Sequence, residues 1–359
     1  MRDTYVVAMA LLVTAALVGG VAGPAAGAQP TIETPPTASA ADGPAVAQAD
    51  GADTCEFPVE LTDATGTTIT LDERPERVTT INPSAAQTMW ELGAEDRVVG
   101  VTQYAFYLDG AEARQNVSAG FGASVERVVA TDPDLVLAPN ASAGDVAPLR
   151  EQGLTVYHFE SATSIDDIAE KTETIGRLVG ACERAAAINE EMYDAVAEAE
   201  NRTADLDRPA ALYPLGDGYV AAGNTFIDEI MRVGGTENVA AAEGDGYPQL
   251  SNEVILQTDP ELLIVTDPEA PILDEEPYAS TTAGREGNSV VLNVNYLNQP
   301  APRSVIESAE TLSVAVEELQ TADGGATESE GDSQSQAPGF GVVAALIAAL
   351  AAALVARRQ

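Results

Sequence analysis

Lysine is nearly missing from this chain. Of 359 residues, 17 are Lys or Arg against 57 Asp or Glu, a formal net charge of −40, and Lys171 is the single lysine. Without clustered cations there is little to hold the phosphates of a nucleic acid. So much acid could mark a cation-binding protein, but it is spread along the chain and shows no calcium-loop spacing. It reads instead as a surface adapted to very high salt, where screening is nearly complete. Histidine is as scarce. His158, with two distant cysteines, supplies neither a zinc ligand set nor a Ser-His or Cys-His pair beside a nucleophile turn, and at a strand end it reads as a packing residue. No metal site, no cofactor and no enzymatic activity are therefore expected. Aromatics make up only 5%, which makes the place of each one informative.

The two cysteines are Cys55 and Cys182. A disulfide between them would close a loop of about 127 residues, worth about 4–5 kcal/mol in the chain-entropy model; the alternative is two buried free thiols. The chain ends bear on the choice. Residues 1–28 read as a signal peptide, with an apolar run over 6–21 after Arg2 and small residues at Ala26-Gly27-Ala28. Residues 29–53, rich in Pro, Ala, Thr and Asp, read as an unstructured spacer. Residues 321–337 form a second, acidic spacer, followed over 338–359 by Pro338-Gly339-Phe340, an apolar run over 341–356 and Arg357-Arg358. About 16–17 apolar residues is near the lower limit for a membrane span, and the arginines place its end in the cytoplasm. This tail resembles the carboxy-terminal sorting signals of archaeal surface proteins, which implies removal by an archaeosortase and replacement by a lipid. The alternative is a plain membrane anchor. Either puts the middle of the chain at the cell surface, an oxidising setting that suits a disulfide. Asn116, Asn140 and Asn201 begin glycosylation sequons.

Between the ends lies a duplication. Ser124-Val-Glu-Arg-Val-Val-Ala-Thr-Asp-Pro-Asp-Leu135 and Ser251-Asn-Glu-Val-Ile-Leu-Gln-Thr-Asp-Pro-Glu-Leu262 share Ser, Glu, Thr, Asp, Pro and Leu in register, 127 residues apart. Between the copies, residues 182–205 place Ala185, Ile188, Met192, Val196 and Ala199 on one helical stripe, a rod of about 35 Å. Strands are expected at 77–81, 98–101, 135–138 and 155–159, then at 210–213 and 290–294. Helices are expected at 83–92, from Ser124, near 145–152, from a Ser164/Asp167 capping pair to Gly180, at 225–233 and at 302–319. The alternation means an α/β fold. Two similar lobes with parallel-type sheets (54–162 and 207–320) are joined through helices (163–206) that include one long, rigid connector.

Arg77-Val-Thr-Thr-Ile-Asn-Pro-Ser84, continuing through Glu91-Leu-Gly-Ala-Glu-Asp-Arg-Val-Val-Gly-Val-Thr102, resembles the opening of the helical-backbone (class III) substrate-binding proteins of ABC importers. Those serve cobalamin, ferric siderophores and haem. The duplicated segments resemble the same family, as do Ala222-Gly-Asn-Thr-Phe226, Gly234-Gly-Thr-Glu-Asn238 and Tyr247-Pro-Gln-Leu-Ser251. Tyr296-Leu-Asn-Gln-Pro-Ala-Pro-Arg303 is similar to the cobalamin-binding members in particular. The resemblance implies a monomer that captures a corrinoid and passes it to an ABC permease dimer with its ATPase. The runners-up are a ferric siderophore or haem carrier, and a surface protein that kept the fold but not transport.

The resemblance further implies permease docking through one glutamate on each lobe, here Glu126 and Glu253; the alternative is that each merely offsets a helix dipole. A cleft between the lobes would hold the ligand. Tyr104 and Tyr107 come from the first lobe, and Tyr219, Asn224, Tyr247, Tyr296 and Arg303 from the second. Tyrosine offers a flat apolar face with a polar tip, suited to a macrocycle carrying amides. Arg303 could meet a ligand anion or brace its own lobe.

Overall fold

A computed structural model describes residues 55–120, 122–269 and 271–327. The expected leader and spacer, Phe121 and the Pro338-Gly339-Phe340 tail with its apolar run lie outside the described residues. The described chain opens with the antiparallel pair β1 (Val59–Thr62) and β2 (Thr68–Leu71), turned at Gly66. Asp63, just after β1, pairs with Arg150 and accepts the His158 N–H at 3.0 Å, tying this hairpin to the first lobe.

The first lobe is a five-stranded parallel sheet. Its strands are β3 (Val78–Thr80), β4 (Val98–Val101), β5 (Gln115–Asn116), β6 (Leu135–Ala138) and β7 (Val156–His158), in the order β5-β4-β3-β6-β7. All four residues of β6 are buried, as a central strand covered on both faces requires. Helices α1 (Pro83–Glu91), α2 (Val125–Ala130) and α3 (Ala143–Glu151) connect the strands. Each of the first two starts where local chemistry dictates. Asn82 caps α1 ahead of Pro83, and Ser124 caps α2.

Two helices follow, and both touch both lobes. α4 (Ile165–Val179) starts at the expected Ser164/Asp167 capping box and ends at left-handed Gly180 (φ 66°). α5 (Cys182–Thr203) carries the chain across. Ile175, Leu178 and Val179 of α4, with Ala185 and Ile188 of α5, belong to the first lobe's core. Ile165, Ile168 and Ala169 of α4, with Met192 and Ala199 of α5, belong to the second's. The stripe expected on the long helix is therefore its buried face. The expected long connector is α5, and α4 packs alongside it. The pair approaches closely at Gly176, where an added Cβ would meet the Ala185 Cβ at 2.6 Å. Cys55 and Cys182 are disulfide-bonded, so free thiols are excluded, and the bond pins the start of the described chain to the foot of α5.

The second lobe repeats the first. β8 (Ala210–Leu212) leads into the small hairpin β9 (Pro214–Gly216) and β10 (Tyr219–Val220). Then come α6 (Phe226–Val233), β11 (Glu237–Asn238), α7 (Asn252–Thr258), β12 (Leu262–Val265), α8 (Thr282–Glu286) and β13 (Ser289–Val291). Its parallel order, β11-β8-β12-β13, matches β4-β3-β6-β7 strand for strand. α9 (Val294–Leu297) begins where the expected last strand still ran, with Asn293 as its cap. α10 (Pro302–Thr327) runs past the expected end at residue 319 into the stretch read as an acidic spacer. It packs along α5, with Arg202 and Glu317 paired at 3.3 Å.

Candidate functional site: a polar junction between the lobes

In a parallel sheet the loops that leave the strands gather at one edge, where ligands bind. Tyr104 lies in a short helical turn just after β4. Tyr219 is in the hairpin after β8, bridged to Gln249. Asn224 is exposed with φ 55°, one residue before the Thr225 cap of α6. Tyr247, partly buried, packs on the second lobe's core.

Three of the seven expected residues meet directly. Tyr107 and Tyr296 form an edge-to-face pair, centroids 6.3 Å apart at 84°, the arrangement that ring quadrupoles favour. The Arg303 guanidinium lies 5.3 Å from the Tyr296 centroid and bonds Glu307 at 3.2 Å. Its backbone N–H donates to Glu91 Oε2 at 3.3 Å. Arg303 therefore braces its own lobe while keeping part of its surface in solvent.

Beneath the pair is a polar junction built from residues that the sequence alone did not single out. Gln87, almost fully buried, accepts the Tyr107 hydroxyl at 2.6 Å. Its amide nitrogen donates to Glu91 Oε1 at 2.8 Å and to Ser304 Oγ at 3.1 Å. Lys171, only 6% exposed, donates to the Pro300 carbonyl and to Ser84 Oγ at 3.4 Å. α1, α4 and the start of α10 are thus joined by side chains from both lobes. Burial pushes the Glu91 carboxyl up to about 7, against the pull of its Gln87 and Arg303 bonds and of the Arg303 and Lys171 charges. Burial likewise pulls Lys171 down to about 7, opposed by Glu91.

Burial also raises the Tyr107 phenol well above its ordinary value and pushes Tyr247 up to about 12. Both are neutral hydrogen-bond groups at neutral pH. Tyr213, at the end of β8, is likewise raised to about 12 by burial and donates to Asn298 Oδ1 at 3.1 Å. It is a further tyrosine at this edge. In the first lobe Trp90 donates to the Asp109 carbonyl at 2.9 Å, with Arg114 stacked 6.0 Å from its ring. A buried, hydrogen-bonded polar residue such as Gln87 has no local sequence signature, because its partners are distant in the chain. None of the seven residues lines either of two open surface depressions. One is lined by Asp207, Arg208 and Glu261 among others, the other by Gln103, Asn116, Ser118 and Arg127.

The remaining residues are equally definite. His158 is buried, its Nδ1 2.8 Å from the Ala138 carbonyl, a packing role as expected. Among the described residues, no group of three or more His, Cys, Asp or Glu side chains could hold a metal ion. Asn116, Asn140 and Asn201 are exposed. Glu126 and Glu253 are exposed in the first turns of α2 and α7. The Glu126 carboxyl is held below its usual range by its own backbone N–H and the Ser124 hydroxyl.

The chain is similar to known proteins along most of its length. It is 46% identical to a cobalamin-binding protein of Halobacterium salinarum, over 90% of this chain and 95% of that one. A periplasmic vitamin B12 binding protein of Vibrio cholerae has the same fold, with a TM-score of 0.60 and 22% identity, covering 68% of this chain and 98% of that one. So has a periplasmic heme-binding protein from a Roseiflexus species, with a TM-score of 0.61 and 23% identity, covering 67% and 99%. The periplasmic binding protein family matches residues 78–295. With its two parallel sheets, its loops gathered at one edge and this match, the chain belongs to the periplasmic binding protein family, whose members bind ligands and are not enzymes.

Proposed function

We propose that the protein captures cobalamin outside the cell and delivers it to the permease of an ABC importer. The observation that carries this reading is the 46% identity to a cobalamin-binding protein over nearly the full length of both chains. The tyrosines support it. Half-buried, neutral phenols at Tyr107 and Tyr247 suit a flat ligand with amide arms. An axial phenolate for haem iron would have to overcome the same burial. An anionic siderophore would want several cations, yet the Arg303 guanidinium is already paired with Glu307.

Tyr104, Tyr107, Tyr219, Asn224, Tyr247, Tyr296 and Arg303 line the cleft in this reading, and Glu126 and Glu253 dock onto the permease. The signal peptide and the Pro338-Gly339-Phe340 tail hold the lobes at the outer face of the membrane, through either an archaeosortase-dependent lipid or the apolar run itself. Among the described residues no helix is long and apolar enough to cross a membrane. Titration of the purified protein in molar salt with cyanocobalamin, cobinamide, haem and a ferric siderophore tests the ligand. Saturable binding of the corrinoids, with none of haem, is expected; the reverse order overturns the reading.

A further inference from the structure

The duplicated segment repeats its internal bonding as well as its letters. Ser124 and Ser251 cap their helices, accepting from Arg127 N at 3.4 Å and Val254 N at 3.3 Å. Thr131 and Thr258 bond back to the carbonyls of Val128 (2.7 Å) and Ile255 (3.0 Å). Asp132 and Asp259 take left-handed backbone, φ 48° and 39°, each just before a proline. Asp134 accepts Arg77 N at 2.9 Å beside β3, and Glu261 accepts Ala210 N at 3.0 Å where β8 begins. Val128 and Ile255 are fully buried. Each of these pairs has an internal structural role.

Two pairs face outward instead. The first is Glu126 and Glu253, both exposed, although Glu126 also accepts the hydroxyl of its own cap Ser124 at 2.9 Å. The second is Val129, 39% exposed, and Leu256, 43% exposed, again at one register position. They are two of the five large apolar side chains that are exposed among the described residues. Single exposed aliphatics scattered over a surface are ordinary. A matched pair in two copies, whose other repeated residues are all accounted for, is a different observation. Each aliphatic follows its glutamate at i+3, so both project from one helix face.

We infer that Val129 and Leu256 are the apolar halves of two equivalent docking points, each an aliphatic knob beside a carboxylate. The partner that fits is the permease dimer, offering on each subunit a cation next to an apolar recess. This rests on the importer reading above. The matching strand orders of the two lobes give the points equivalent places, which answers a partner of two like subunits. The carboxylate needs a cation, and nearby cations in this chain are few. An exposed ion pair is weak and is screened by salt, whereas the contact of an aliphatic with an apolar recess is not screened. The aliphatics would therefore hold the complex where salt silences the glutamates.

The experiment uses the full chain and membrane vesicles carrying its permease and ATPase, at low and at molar salt. Val129→Ser and Leu256→Ser should each weaken vesicle binding at least about fivefold at both salts, the double variant further, while Val129→Leu binds normally. Glu126→Gln and Glu253→Gln should lose binding mainly at low salt. Unchanged thermal unfolding midpoints show that the serine variants remain folded. If they bind vesicles like wild type at both salts, the apolar role is overturned while the importer reading stands. If the wild type ignores permease vesicles, the importer reading and this inference fall together. Wild-type self-association abolished by the serine pair would assign the knobs to a second copy of this chain and overturn the proposal.

Discussion

Gln87 and Ser304 lie 217 positions apart in the chain, yet the Gln87 amide donates to the Ser304 hydroxyl at 3.1 Å with both side chains buried. Because the other end of that amide holds the Tyr107 hydroxyl, the bond that joins the lobes also orients an aromatic of the proposed cleft. Replacing Gln87 by leucine keeps the volume but leaves the two hydroxyls unpaired, at a cost of about 1–3 kcal/mol. Urea denaturation should register the loss. Corrinoid affinity should fall with it, since Tyr107 is freed to turn.

The junction makes stability depend on pH. Glu91 moves from its ordinary 4.5 up to about 7 in the fold. Between those values the folded state keeps a proton that the unfolded chain has released, so stability falls as pH rises through that window. Lys171 moves from 10.5 down to about 7. From there to 10.5 the unfolded chain holds the extra proton, so stability climbs again, and the pair's contribution is least near neutral pH. Glu91→Gln should abolish the fall between pH 5 and 7, a change of about 1–3 kcal/mol for a half-buried carboxylate. Denaturation midpoints at fixed ionic strength across pH 5–10 check this. An unchanged slope in the variant would remove Glu91 as its source.

A packed helix pair and a buried junction resist bending more than two crossing strands would. Lobe closure on ligand should therefore be small. X-ray scattering with and without cyanocobalamin should give nearly the same radius of gyration, and a large contraction would contradict a rigid connector.

Gly176→Val places branched carbon into the 2.6 Å contact with Ala185. Prising α4 from α5 should cost about 1–3 kcal/mol and loosen the angle between the lobes, seen as a lower unfolding midpoint and a broader scattering profile. The same change at exposed Gly144, which has open space around it, serves as the control.

If aromatic faces rather than arginine hold the ligand, cobalamin affinity should change little between low and molar salt, because apolar contact is not screened. Isothermal titration at both salts decides this. A collapse at high salt with the fold intact would point to an anionic ligand.

Much of this protein is legible in its letters because the determining physics is local. The Ser164/Asp167 capping box, the Gly180 stop, the buried run at Leu135–Ala138 and the stripe on α5 each depend on neighbours within a turn or a pleat. The duplication is read the same way, since identical local bonding recurs around Ser124 and Ser251. Two-residue strands such as β5 and β11 were invisible because a pair of residues has no period. What only the tertiary structure decided is how distant pieces meet. It made the disulfide of Cys55 and Cys182, packed α4 against the long α5 so that both reach both cores, and chose which tyrosines touch. It also drew Gln87, Glu91, Lys171 and Ser304 into one junction. A lone glutamine or a lone lysine carries no such message in the sequence, because its meaning lies in partners that folding brings to it from the other lobe.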